Sequence, residues 1–231
     1  MEIELDLSAY NIYVPFPLIR VIFLMLYKKI VLATHNLHKQ KEMNSILSSL
    51  GILIVGLDDF PQIGDIEETG STLLENAFIK ARTVHQLTGL PSIADDTGLE
   101  VDALHGAPGV YSARYAGQNP SFQENCEKLL SELKDSANQN RNAKFRTVIA
   151  FVDKKKEFQS EGVVKGVIVE KPRGVDGFGY DPIFQPNLYE ITFAEMGMEE
   201  KNRISHRSKA LEKMKEILVP YLEKGEPIDI E

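Results

Sequence analysis

The spacing of hydrophobic positions changes near the middle of the chain, and this change bears on the fold class. In the first half, short apolar runs at residues 29–33 and 52–57 have the length and composition of buried strands. Apolar residues recur every three or four positions over residues 43–50 and 74–84, as on the buried face of a helix. Strands that alternate with helices in this way are typical of an α/β sheet.

The predicted helices have start and stop signals. Gly51 follows the last apolar position of the first helix, and Gly89 follows that of the second. The second helix begins with a capping-box pattern at residues 72–75, and a third begins with another at residues 121–124. The residues expected to face inward from the third helix are Phe122, Leu129, Leu130 and Leu133. A last helix has one apolar stripe, formed by Leu211, Met214, Ile217 and Leu218.

The second half of the chain is richer in strand-forming residues. Residues 145–152 and 157–169 predict a long hairpin, with a polar turn at residues 153–155. Residues 174–186 form a loop that contains glycine and aromatic residues. Alternating strands and helices followed by antiparallel strands predict a mixed α/β sheet with a second lobe.

Two adjacent carboxylates, Asp95 and Asp96, follow the apolar run at residues 90–94 and precede Thr97 and Gly98. We interpret the run as a strand that stops at a loop. Carboxylates placed there suit Mg²⁺, which uses one or two protein carboxylates and takes its other ligands from water and phosphate. A surface turn is an equally good interpretation of these residues alone, because Asp and Gly both favour turns.

A second acidic pair, Glu67 and Glu68, also precedes a Thr-Gly dipeptide. If the four carboxylates of the two pairs converge, they can hold one or two Mg²⁺ ions. The alternative is that the glutamates only stabilise the N-terminus of the helix that follows.

A phosphate-binding pattern lies between the first strand and the first helix. Thr34, Asn36 and Lys39 offer hydrogen bonds and a positive charge beside the free N–H groups of a helix N-terminus. An ordinary helix cap explains so short a pattern better when it is taken alone.

The C-terminal half adds two candidate binding segments. Residues 177–182 combine glycines, which allow close backbone approach, with aromatic rings that can stack on a base. A tight turn with an aromatic plug is the alternative. Lys201 and residues 205–207 offer cations and donors to phosphate or a carbonyl oxygen, unless they only begin a solvated helix. Lys80 and Arg114 are weaker basic candidates.

Composition limits the class of protein. The chain has 231 residues and a net charge of −8, which does not match a general nucleic-acid binder. The single cysteine, Cys126, excludes an intrachain disulfide and indicates a packing thiol in a reducing compartment. Residues 12–27 are mostly apolar, but prolines and an arginine interrupt them and an acidic segment precedes them. We therefore expect no signal peptide and no membrane anchor there.

Five segments of the chain occur in an order that resembles a known family. They read LATHNLHKQKE, EETGSTLLENAFIKA, IADDTGLEVDALHGAPGVYSARYAG, GFGYDPIF and FAEMGMEEKNRISHRSKAL. Together they resemble the non-standard purine nucleoside triphosphate pyrophosphatases, also called dITP/XTP pyrophosphatases or inosine triphosphatases. The resemblance covers about residues 29–222, so residues 1–27 are expected to be an extension and residues 28–231 one two-lobed domain.

The resemblance implies a role for each matching residue. Asp96 would be the general base and a Mg²⁺ ligand, with Asp95 and Glu67 or Glu68 completing the metal environment. The residues implied to hold the triphosphate are Thr34, His35, Asn36, Leu37, His38 and Lys39. Further substrate contacts would come from Thr97, Phe178, Gly179, Tyr180, Asp181, Lys201, His206 and Arg207.

The resemblance also implies an elongated α/β sheet with a cleft between two lobes, and a cytoplasmic homodimer. The substrate would be a purine nucleoside triphosphate, with no nucleic-acid or membrane partner. Two alternatives stay open: a related nucleotide pyrophosphatase with another base preference, such as modified pyrimidines, and a nucleotide-binding sensor without turnover.

Overall fold

One mixed sheet runs through the residues that the structure, a computed structural model, describes: 29–48, 53–135 and 140–223. Its strands are β1 (Lys29–Leu32), β2 (Leu53–Gly56), β3 (Ser92–Val101), β4 (Pro108–Gly109), β5 (Asn142–Val152), β6 (Glu157–Ile168) and β7 (Phe184–Pro186). The order is β2-β1-β3-β5-β6-β7, and β4 pairs with β3. β1 is parallel to β2 and β3, whereas the pairs from β3 to β7 are antiparallel. The predicted mixed α/β sheet is confirmed.

Helices cover both faces of this sheet. Those within the described residues are α1 (Leu37–Leu47), α2 (Leu73–Thr88), α3 (Phe122–Asp135), α4 (Met198–Ile204) and α5 (His206–Glu223). α2 packs on one face, against Ala94, Val148 and Ala150. α1 and α5 pack on the other, around Ile149 and Phe151. A third apolar cluster fills the far end of the sheet and contains Leu129 and Leu133 of α3.

The predicted helix signals are confirmed where they can be compared. Thr72 and Glu75 form a reciprocal capping box at the start of α2, and Gly89 ends that helix in the left-handed conformation. Ser121 and Glu124 exchange the equivalent hydrogen bonds before α3. The predicted end of the first helix at residues 50 and 51 lies outside the described residues, as do residues 1–27.

Two predictions of local structure are wrong. β3 does not stop at Asp95 and Asp96, because β5 pairs with it continuously from Ser92 to Val101 and satisfies its backbone hydrogen bonds. Phe122 does not face the core, since its side chain is 46% exposed and contacts other rings instead.

β1 pairs with the edge of β3 opposite to β5, and it leaves part of that edge without a partner strand. β1 pairs with β3 only through Ser92 and Ile93 and ends at Leu32. The next part of β3 therefore has a strand on one side only, and Asp95 and Asp96 lie there. In the described part of the chain, no helix has the length and apolar character needed to span a membrane.

Gly162 of β6 lets α5 lie directly on the sheet. A Cβ at this position would collide with the carbonyl oxygen of His206 and with the backbone nitrogen of Ala210. Both are backbone atoms, so a rotamer change cannot relieve the overlap.

We expect Gly162→Ala to lower the free energy of unfolding by about 1–3 kcal/mol, because α5 must shift from the sheet. Urea denaturation followed by circular dichroism would measure the change. Gly64→Ala is the matched control, since a Cβ there meets no atom within 4 Å. Equal stability of the two variants would contradict this account of the contact between α5 and β6.

Candidate active site

The alternation of side chains along β3 sends its two aspartates to opposite faces of the sheet. Successive residues of a strand point in opposite directions. Asp95 therefore lies on the face that carries α1 and α5, where it contacts Lys39 and Arg207. Asp96 lies on the α2 face, where it contacts Lys80. The four predicted carboxylates are thus not brought together in one group.

Asp96 and Glu68 share one cation. Lys80 of α2 places its Nζ 2.9 Å from Oδ1 of Asp96 and 2.6 Å from Oε1 of Glu68. Asn76 donates weakly to the other oxygen of Asp96, at 3.4 Å, and its own Oδ1 accepts the Gly70 N–H at 2.8 Å. The carboxylates of Asp96 and Glu68 are therefore both directed at the Nζ atom of Lys80.

The pKa values in this group reflect burial and pairing together. Burial would lower the pKa of Lys80, but Asp96 and Glu68 outweigh it and raise the pKa to about 12. Burial would raise the pKa of Glu68, but the Lys80 ammonium holds it below its usual value. Burial raises the pKa of Asp96 above its usual value, although Lys80 and Lys39 oppose this shift.

These oxygen donors fit Mg²⁺ chemically. Asp96 and Glu68 already face one cation, and Mg²⁺ needs only one or two protein carboxylates when phosphate and water supply the rest. Within the described residues, no group of three or more acidic, histidine or cysteine side chains could hold a metal alone. Asp96 and Glu68 therefore suit a Mg²⁺ site in which the substrate supplies further ligands.

The two glutamates of the acidic loop differ in environment. Glu67 is exposed, whereas Glu68 is half-buried and also lies 3.5 Å from the guanidinium of Arg114. The structure thus places Glu68, and not Glu67, beside Asp96. Arg114 in turn lies over the ring of Tyr111.

The loop between β1 and α1 adopts the conformation that the phosphate-binding pattern implies. Asn36 is the N-cap, and its Oδ1 accepts the N–H groups of His38 and Lys39 at 3.0 and 3.2 Å. Thr34 accepts the Asn36 N–H at 3.1 Å. The ordinary cap is therefore present, and it leaves the N-terminus of α1 directed at the site, since Lys39 reaches Asp95 at 3.1 Å.

Asp95 is the centre of a second charged group. Its Oδ2 accepts from Lys39, Arg207 and Thr97, each at 3.1 Å, and the residue is 1% exposed. Burial would raise its pKa, but Lys39 and Arg207 hold that pKa far below its usual range. Its Oδ1 is buried and finds no hydrogen-bond partner in the part of the chain that the structure describes.

Sequence reasoning missed Glu42, which connects α1 to the C-terminal residues of the site. This carboxylate of α1 accepts from Lys201 at 2.9 Å and from Nη1 of Arg207. Burial would raise its pKa, but Arg207 and Lys201 outweigh burial and lower it. The available signal was its position one turn after Lys39, on a face with Met43, but a buried glutamate cannot be told from a solvated one by spacing alone.

Lys201 and Phe178 belong to one pocket. Lys201 bridges Glu42 and Asp181, whose Oδ2 lies 2.7 Å from Nζ. That same oxygen accepts the backbone N–H of Phe178 at 2.8 Å. The Phe178 ring lies 5.0 Å from Nζ of Lys201 and 5.5 Å from Cζ of Arg207, so two cations contact it.

His206 is buried beside this pocket. Its ring stacks on Phe145 with a centroid distance of 4.5 Å. Burial, followed by the nearby Arg207 and Lys201 charges, lowers the pKa of His206 well below its ordinary value, so the imidazole is neutral at pH 7. Its Nδ1 lacks a hydrogen-bond partner among the described residues.

Among the remaining predicted site residues, some are buried in the core and others are exposed. Tyr180 is buried in the core, and its hydroxyl donates to the Ser112 carbonyl at 2.9 Å. The Gly179 carbonyl accepts from the Cys126 thiol, which is buried as predicted. His35 is exposed on the loop before α1, and Leu37 is exposed at the first position of α1. Their proposed substrate contacts stay predictions.

We expect Glu42→Gln to lower the free energy of unfolding by about 3–5 kcal/mol at pH 7, because Lys201 and Arg207 lose a buried negative partner. Because the folded-state pKa of Glu42 is lowered, this contribution is present above about pH 5 and is lost as pH falls through that lower pKa. Urea denaturation at several pH values would measure it.

The matched control is Glu212→Gln, which changes an exposed glutamate of α5 that pairs with Lys215 at 3.0 Å. Such a surface pair contributes about 0–1 kcal/mol. A loss of the same size in both variants at pH 7 would contradict the role assigned to the buried pair.

The chain is similar to known proteins over most of its length. The model of the Ham1 family matches residues 30–217. A dITP/XTP pyrophosphatase from Thermoanaerobacter pseudethanolicus is 47% identical over 195 residues, which are 84% of this chain and 98% of that protein.

Two solved structures are similar in fold and in sequence. A HAM1 protein from Coxiella burnetii superposes with a TM-score of 0.78 at 44% identity and covers 84% of this chain and 99% of its own. A nucleoside-triphosphatase, dITP/XTP pyrophosphatase, from Mycobacterium abscessus has a TM-score of 0.66 at 42% identity, with coverages of 80% and 98%. With the family model matching most of its length, the chain belongs to the Ham1 family.

Proposed function

We propose that this protein hydrolyses non-standard purine nucleoside triphosphates, namely dITP, ITP and XTP, to the monophosphate and pyrophosphate, with Mg²⁺. The observation that carries the proposal is the pair formed by Asp96 and Glu68, which face one cation, while the neighbouring Asp95 pairs with Lys39 of α1. The names of the similar proteins support the same activity.

The phosphate end of the substrate would lie on α1. The positive end of the helix dipole would attract the triphosphate, and Thr34 and Asn36 order the loop that would surround it. Lys39 and Lys80 supply positive charge on the two sides of β3. These groups would offset the charge that develops on the leaving pyrophosphate.

The chemical step would use Asp96 as general base. Asp96 and Glu68 would hold Mg²⁺, which would supply charge neutralisation for the phosphates and activation of water. Asp96 accepts a proton from the attacking water as the new oxygen bond to the α-phosphorus forms. The bond between the α-phosphorus and the bridging oxygen breaks, and the electron pair leaves with pyrophosphate. Lys80 would hold the carboxylates in place before and after this step.

The base would stack on Phe178 and meet Arg207 and His206. Hypoxanthine and xanthine carry a 6-keto oxygen, which accepts a hydrogen bond from a guanidinium, whereas the 6-amino group of adenine would oppose one donor with another. Arg207 is fixed by Asp95 and Glu42, so it cannot turn away from the wrong base. A buried guanidinium donor without an acceptor raises the free energy of the complex. We therefore expect the protein to bind adenine nucleotides poorly.

The proposal also covers the cellular location, the oligomeric state and the domain organisation of the enzyme. The net charge of −8 and the single, free thiol of Cys126 support a cytoplasmic protein that cleanses the nucleotide pool. A homodimer and a single two-lobed domain over residues 28–231, preceded by an extension over residues 1–27, are proposed from the family resemblance. The two lobes would correspond to the apolar clusters at the two ends of the sheet.

The experiment that tests the function is pyrophosphate release with Mg²⁺ from dITP, ITP and XTP beside ATP, GTP, CTP and UTP. We expect rapid release from the first three alone. Release mainly from a pyrimidine triphosphate would overturn the base preference. Binding of ITP without release from any substrate would overturn the enzymatic proposal in favour of a sensor.

We expect Asp96→Asn to fold and to lose activity by about a hundredfold to ten-thousandfold, because it removes the proton acceptor while Glu68 still pairs with Lys80. The measurement is kcat for ITP with an unfolding curve of the variant. Asp102→Asn, an exposed change shortly after β3, is the control and should retain wild-type kcat. Retained activity in Asp96→Asn would remove this residue from the role of base.

We expect Arg207→Lys to reduce the preference for ITP over ATP by about tenfold to a hundredfold, measured as the ratio of kcat/KM values. Lysine keeps a positive charge for Asp95 and Glu42 but loses the planar fork of donors. Lys215→Arg on the same helix is the control. An unchanged ratio in a folded Arg207→Lys variant would show that another group reads the 6-position.

A further inference from the structure

Three aromatic side chains from distant parts of the chain meet at the edge of the pocket. The His38 ring stacks on Phe178 with a centroid distance of 5.1 Å and an interplanar angle of 22°. Phe122 approaches His38 edge-on at 6.5 Å and Phe178 at 6.0 Å. These three residues, called here the aromatic triad, link α1 and α3 to the loop before β7.

The members of the aromatic triad differ in how firmly they are held. The backbone of Phe178 is fixed by its hydrogen bond to Asp181, which Lys201 holds in turn. His38 is exposed, and its ring makes no hydrogen bond or ion pair to the residues that the structure describes. When the His38 side chain rotates away, it therefore gives up its ring contacts with Phe178 and Phe122, whereas the backbone of Phe178 stays held.

The separation of the two rings leaves no room for a third ring between them. Aromatic partners in contact have centroids 4.5–7 Å apart, and His38 is already at 5.1 Å from Phe178. A base that stacks on this face of Phe178 and the His38 ring therefore exclude one another.

We propose that His38 is an affinity-determining residue that competes with the purine base for Phe178, rather than a ligand of the triphosphate. This inference rests on the proposed function, because it takes Phe178 as the stacking partner of the base. Binding of the base breaks the stack between His38 and Phe178, so the stack weakens every ligand that carries a base. A ligand that has phosphates alone leaves the stack intact.

The test compares ligands with and without a base in His38→Ala and His38→Phe. The probes are IMP, by its dissociation constant, ITP, by KM and kcat, and inorganic tripolyphosphate, by its inhibition constant. Breaking an aromatic pair corresponds to a change of about two- to tenfold in affinity. We expect His38→Ala to bind IMP more tightly by this factor and to lower KM for ITP. His38→Phe should do the opposite, and tripolyphosphate inhibition should be unchanged in both.

Two further variants act as controls. His38→Gln keeps a polar side chain of similar length without a ring, so it should resemble His38→Ala. Asn44→Ala changes an exposed neutral residue of the same helix and should leave all constants as in the wild type.

Each other result overturns the inference. Weaker binding of IMP by His38→Ala would mean that His38 supports the base instead of competing with it. An equal change for IMP and tripolyphosphate would mean that His38 acts on the phosphate loop, and unchanged constants would mean that the stack has no energetic role. A wild-type protein without pyrophosphate release from dITP, ITP or XTP would instead refute the proposed function.

Discussion

The alternation of side chains along β3 decides where each charged group of the site can lie. Because Asp95 and Asp96 are adjacent in one strand, they must point to opposite faces of the sheet. The α2 face then supplies Lys80 to Asp96, and the face of α1 and α5 supplies Lys39 and Arg207 to Asp95. One strand therefore separates the carboxylate that we propose as general base from the one that pairs with Lys39 and Arg207.

The second carboxylate that contacts Arg207 is Glu42. It pairs with Lys201 and Arg207, and so it joins α1 to α4 and α5. Removing two charges from water is costly, and such a pair adds little net stability compared with apolar packing. Its consequence is geometric, since one buried ion-pair network fixes the position of α1 relative to Lys201 and Arg207.

Sequence alone predicted much of the fold because the signals were local. The capping box at Thr72 and the left-handed end at Gly89 depend on neighbours within a few residues, and both are present as predicted. The end of the strand at Asp96 was wrong because pairing with β5, some 50 residues later, overrides local turn preference. Glu42 and the stacking of His38 were missed for a related reason, since both depend on partners more than a hundred residues away.

The charge balance of the site gives an argument for a divalent cation that is independent of sequence resemblance. The carboxylates of the network are Asp95, Asp96, Glu68, Glu42 and Asp181, and the cations that pair with them are Lys39, Lys80, Lys201, Arg207 and Arg114. The acidic groups and these cations thus balance before any substrate binds. A triphosphate brings several more negative charges into a region of low dielectric, where their mutual repulsion is strong. A small divalent cation held by Asp96 and Glu68 would reduce that repulsion, and the binding energy of the phosphates would then be available for catalysis.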